Sequence, residues 1–114
     1  MNPFAIITKP SRPTEFEMQA ELYFHLKRLG LDVRGEVWAS HDKEGSFFDL
    51  VVFRGEHGAV IIEVKNCPSG ALRFGKKTRQ REKYGKYDLP IVFYTTATPL
   101  PNVLAEIQGH LDRI

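Results

Sequence analysis

The chain has a single cysteine, Cys67, among 114 residues, so an internal disulfide is excluded and a reducing compartment is expected. Long apolar runs are missing too. The longest near the start, Phe4-Ala5-Ile6-Ile7, is too short for a signal-peptide core, and nothing approaches a transmembrane span. Together these absences predict a cytoplasmic protein with no membrane partner. The four histidines, at 25, 41, 57 and 110, lack zinc spacing, and one cysteine cannot complete such a set. No glycine loop of the P-loop or dinucleotide type is present, and neither is a repeat or a low-complexity tract. What is present, 42% apolar and 26% charged residues, suits one soluble domain large enough to bury an ordinary core.

Residues 1–13 carry three of the seven prolines and read as an extended arm before a domain spanning 14–114. The first helix opens at "TEFEMQAELYFHLKRLG". Thr14 and Glu17 have capping-box spacing, Gly30 stops the helix, and Met18, Leu22, Leu26 and Leu29 form one apolar stripe. Glu15 and Gln19 extend that stripe toward the helix start. Three strands are expected next, at 31–39, 47–53 and 59–65, with "SHDKEGS" as the loop between the first two. The second and third lack polar alternation, as in a sheet covered on both faces. A second helix is expected over 78–87 with Thr78 as its cap, then a fourth strand over 89–97. A strand, crossover helix and strand in succession predict that strands three and four are parallel. A closing helix with Val103, Leu104, Ile107 and Leu111 on its apolar face completes an α/β order of α-β-β-β-α-β-α around a mixed four-stranded sheet.

The net charge of +2 hides an uneven distribution. Arg73, Lys76, Lys77, Arg79, Arg81, Lys83 and Lys86 are opposed within their stretch only by Glu82. Such a block suits phosphates, although charge runs more often form a solvated face. His41 and Asp42, in the predicted loop before strand two, are further candidates for substrate contact beside a plain solvated role.

The chemistry is concentrated in "FFDLVVF" and "IIEVKN". A three-residue hairpin loop, Gly55 to His57, would pair Phe53 with Ala59, Val51 with Ile61 and Asp49 with Glu63. Facing residues on one sheet face have Cβ atoms about 5 Å apart. Lys65 shares the face of Glu63 one pleat further on. Two facing carboxylates on a covered sheet repel and lose solvation, and a divalent cation between them removes the conflict. Mg²⁺ takes only one or two protein carboxylates and binds phosphate oxygens. Lys65 could orient a water or steady phosphate charge. An ordinary cross-strand ion pair is the bland alternative.

Taken together, the helix with its inward glutamate and "FDLVVF…VIIEVKN" resemble the PD-(D/E)xK nuclease superfamily, whose restriction-endonuclease-like core is α-β-β-β-α-β. Glu15 and Gln19 of "TEFEMQ" are similar to the E-x-x-x-Q opening of VRR-NUC and Holliday-junction-resolvase-like members. Gln80 to Tyr84, "QREKY", is similar to the Q-x-x-x-Y element of RecB-type nucleases. The resemblance implies Asp49 and Glu63 as metal ligands, Lys65 as the catalytic lysine, and Glu15 as an aid to holding metal or water. It implies that Gln80 and Tyr84 position DNA or the lysine; beside such a site the basic residues Arg73, Lys76, Lys77, Arg79, Arg81 and Lys83 would contact phosphates. Phe48 departs from the pattern, standing where the family name has proline. The expected activity is Mg²⁺-dependent DNA hydrolysis, with Mn²⁺ able to substitute, by a homodimer or with a partner protein that supplies specificity. The alternative is an inactive nucleic-acid-binding domain or an assembly subunit that keeps the fold.

Overall fold

The computed structural model describes residues 6–41, 44–66 and 87–114. Their order is α1 (Glu15–Arg28), β1 (Asp32–His41), β2 (Glu44–Arg54), β3 (His57–Lys65), β4 (Ile91–Thr95) and α2 (Leu100–Asp112). The strands form one mixed sheet in the order β1-β2-β3-β4, in which β3 and β4 are parallel and the other pairs antiparallel. The helix expected over 78–87, with Gln80, Tyr84 and the basic block Arg73, Lys76, Lys77, Arg79, Arg81, Lys83 and Lys86, lies outside the described residues. Only Tyr87 of that stretch is described, and it sits in a turn. No helix among the described residues is long and apolar enough to cross a membrane.

Helix α1 begins where the capping box requires. The Glu17 amide donates to Thr14 Oγ1 at 3.1 Å, and the Thr14 amide donates to Glu17 Oε2 at 3.2 Å. Met18, Leu22 and Leu26 are buried; Leu29, expected on the same stripe, is the C-cap and 59% exposed, because the helix ends before its side chain reaches the sheet. Helix α2 buries Val103, Ile107 and Leu111, with Leu104 packed beside them. Both helices lie on one face of the sheet, against Val33, Leu50, Val52, Val60, Ile62 and Val64. The other face is a smaller cluster of Phe48, Val51 and Ile61, bordered by Val37, Ala39, Phe53, Tyr87, Leu89 and Ile91. Apolar side chains on both faces explain the missing alternation in β2 and β3.

Two expectations about turns need correction. The stretch 40–46 is not a loop throughout, because β1 and β2 pair out to His41 opposite Glu44. Trp38 faces Phe47 with ring centroids 4.8 Å apart, and Gly45 leaves room for the indole where any Cβ would overlap it. Cross-strand aromatic contact therefore carries the ladder further than the polar composition implied. The β2–β3 turn is also tighter than expected. It has two residues, Gly55 and Glu56, with Gly55 at φ 60, as a short hairpin with glycine first requires. Phe53 consequently pairs with Gly58 rather than Ala59. A bulge after Val52 then absorbs one residue, and Val51 faces Ile61 as expected.

Candidate functional site

Strands β1 and β2 turn over together. Val33 packs under the helices and Val37 in the opposite cluster, although a regular pleat would put both on one face. Leu50 and Phe48 are divided in the same way. The switch occurs at Glu36, which has φ 53, and at Asp49, the two residues left between the pairs Gly35–Leu50 and Val37–Phe48. A non-glycine residue held at positive φ is strained, and its surroundings must hold it there. Gln19 of α1 does so. Its Nε2 donates to Glu36 Oε1 at 2.9 Å and to the Asp49 carbonyl at 3.0 Å. Gly35 lies beneath this amide, where a Cβ would come within 3.6 Å of Gln19 Nε2.

The same switch takes β2 away from β3. Their ladder ends at Leu50 opposite Ile62, one pair short of Asp49 opposite Glu63. Beyond it, the amide of Val64 donates to Asp49 Oδ2 at 2.8 Å. A side-chain carboxylate thus takes over the acceptor role of a backbone carbonyl. One residue past the end of β3, the amide of Asn66 donates to Glu15 Oε1 at 3.0 Å, and Asn66 Nδ2 donates to the Pro13 carbonyl at 3.2 Å. Three side chains, Glu15, Gln19 and Asp49, hold the opened end of the sheet.

Glu63 lies inside this opening. It is only 3% exposed, and its Oε1 has no hydrogen-bond partner. Burial raises its carboxyl from the ordinary 4.5 to about 7, and the negative charge of Asp49 pushes in the same direction; Lys65 opposes both. The structure therefore brings together Asp49, Glu63 and Lys65. Glu15 stands at the strand end, spent on Asn66, and no group of three or more His, Cys, Asp or Glu able to hold a metal forms among the described residues. Glu17 is occupied by the helix cap, as its capping-box spacing predicts, and Glu21 is exposed. Glu36 and Asn66 carried no expected role. The only signal for Glu36 was the irregularity of "VRGEV".

A divalent cation fits what is present. An orphaned, buried carboxylate oxygen beside a second carboxylate is a two-ligand donor set of hard oxygens, which suits Mg²⁺. No family model matches the chain, and no curated protein matches it.

Proposed function

We propose that the chain is a Mg²⁺-dependent nuclease of the PD-(D/E)xK type that hydrolyses DNA phosphodiester bonds. The observation carrying this reading is Glu63, a buried carboxyl with an unpartnered oxygen, set against Asp49 and Lys65 where the sheet opens. A fold that needed only stability would place an apolar residue there, since a buried ionisable group without full pairing is costly.

In this reading Asp49 and Glu63 hold Mg²⁺, which when bound supplies positive charge to the scissile phosphate. Each remaining role belongs to the chain. Lys65, half-buried at the last position of β3, orients the attacking water and offsets charge gathering on the phosphate. Asp49 is aimed by its bond to the Val64 amide, and its backbone is fixed by Gln19. Glu15 keeps the end of β3 in place through Asn66. The cations of the stretch from Arg73 to Lys86 supply charge for phosphate oxygens and the salt dependence that goes with it.

The test is cleavage of a DNA panel (linear, single-stranded, flapped and branched) with and without Mg²⁺. Wild type should cleave at least one substrate only with the metal, and Glu63→Ala should not. Equal products from both proteins on every substrate would remove the catalytic reading. Salt-sensitive binding without cleavage would leave a nucleic-acid-binding domain in its place.

A further inference from the structure

The outer face of α1 is built like half of an interface. Phe16, Ala20 and Phe24 lie four residues apart, and a step of about 100° per residue puts them on one stripe opposite Met18, Leu22 and Leu26. Phe16 is 78% exposed and Phe24 57%, with Tyr23 beside them at 38%. Single exposed apolar residues need no explanation, but three aromatics around one small residue on a single helix face form a patch.

The stripe is symmetric about Ala20, and its charges are ordered. Glu15 and Glu17 occupy the first turn, and Lys27 and Arg28 the last. The two cations fold back toward the helix start. Lys27 Nζ lies 5.6 Å from the centre of the Tyr23 ring, and Arg28 Cζ 5.6 Å from that of Phe24. Their charged heads are thus near the level of residues 23 and 24.

We infer that this face binds the same face of a second copy, with the two α1 helices antiparallel about a two-fold axis at Ala20. That axis places residue levels summing to 40 side by side. Phe16 then lies beside Phe24 of the partner copy at each end, and Ala20 lets the helices approach closely at the centre. Glu17, at level 17, meets level 23 of the partner, one residue from the level of the Arg28 head on the same flank. Both pairs form twice, as an isologous interface requires. A parallel arrangement would set acidic turn against acidic turn. Gln19 and Glu15, turned toward the sheet and the end of β3, stay out of the contact, so the inference holds whether or not the site cleaves DNA.

One helix face buries less area than a standard interface, which implies a dissociation constant of roughly micromolar order. Sedimentation velocity of the full chain over about 1 to 100 µM should show a monomer–dimer equilibrium. Ala20→Glu, at an exposed position that leaves the fold intact by circular dichroism, should raise the dissociation constant at least about tenfold. In a Cys67→Ser background, Ala20→Cys should oxidise to a disulfide-linked dimer, whereas Gln108→Cys on the exposed face of α2 should not. A wild type that stays monomeric throughout, a dimer indifferent to Ala20→Glu, or equal cross-linking at 20 and 108 would each overturn the assignment.

Discussion

The two ends of the β2–β3 ladder are built differently. At the turn end, Gly55 and Glu56 close the strands, a bulge corrects the register, and backbone pairs with backbone down to Arg54 opposite His57. At the open end, backbone pairing stops at Leu50 opposite Ile62. Side chains take over from there: Asp49 on the Val64 amide, Glu15 on the Asn66 amide, Gln19 on the Asp49 carbonyl. The turn end leaves no carboxylate buried. The open end leaves Glu63 Oε1 without a partner. Ordinary sheet chemistry accounts for the first end completely and for the second only in part, and the proposed cation would take up the remainder.

Breaking each end separately separates stability from function. The largest effect should come from Asp49→Asn. It keeps an acceptor for the Val64 amide and removes the charge, so the fold should survive while the proposed Mg²⁺-dependent cleavage falls by about 10²–10³-fold, read from initial rates. Next in size is the pH dependence of stability in metal-free protein. Because the carboxyl of Glu63 is raised in the folded state, the fold holds a proton that the unfolded chain releases. Its stabilising contribution is therefore fully present below pH 4.5 and is lost as pH rises through about 7. A shift of that size corresponds to about 3 kcal/mol, so Glu63→Gln should flatten the urea-unfolding profile between pH 5 and 8 by that order. An unchanged profile would mean that Glu63 is not buried in solution as described.

Smaller effects sharpen the contrast. Gln19→Ala removes both bonds that hold the Glu36–Asp49 switch and should cost about 1–2 kcal/mol by chemical denaturation, together with a fall in cleavage rate. Gly55→Ala strains a positive φ at the turn end and should cost about 1 kcal/mol while leaving cleavage unchanged. If the two variants lowered activity alike, the division between the ends would fail.

Much of this organisation was legible in the residues. The capping box, the buried stripe of α1, the β2–β3 hairpin and the parallel β3–β4 pairing follow from spacings that local chemistry and handedness rules constrain tightly. Asp49, Glu63 and Lys65 were recognisable because charged residues on wholly apolar strands need a reason. The face switch was not legible. Nothing in "VRGEV" separates a left-handed Glu36 from a bulge or a strand end, since that conformation depends on Gln19, seventeen residues earlier. The end of the β2–β3 ladder was hidden for the same reason, because Asp49 can take the place of a carbonyl only after β2 has turned. Trp38 and Phe47 extended their hairpin past a polar stretch because the stabilising contact lies across the strands and not along the chain.

Calorimetric titration of Mg²⁺ into the wild-type protein at pH 7 tests whether Asp49 and Glu63 hold a cation, as proposed. Cation binding requires ionised carboxylates, so the partly protonated Glu63 must release its proton as the ion enters. The measured heat should change with the ionisation enthalpy of the buffer, and both binding and buffer dependence should be lost in Glu63→Gln. Absence of binding in wild type, or an identical isotherm in Glu63→Gln, would contradict the proposed site.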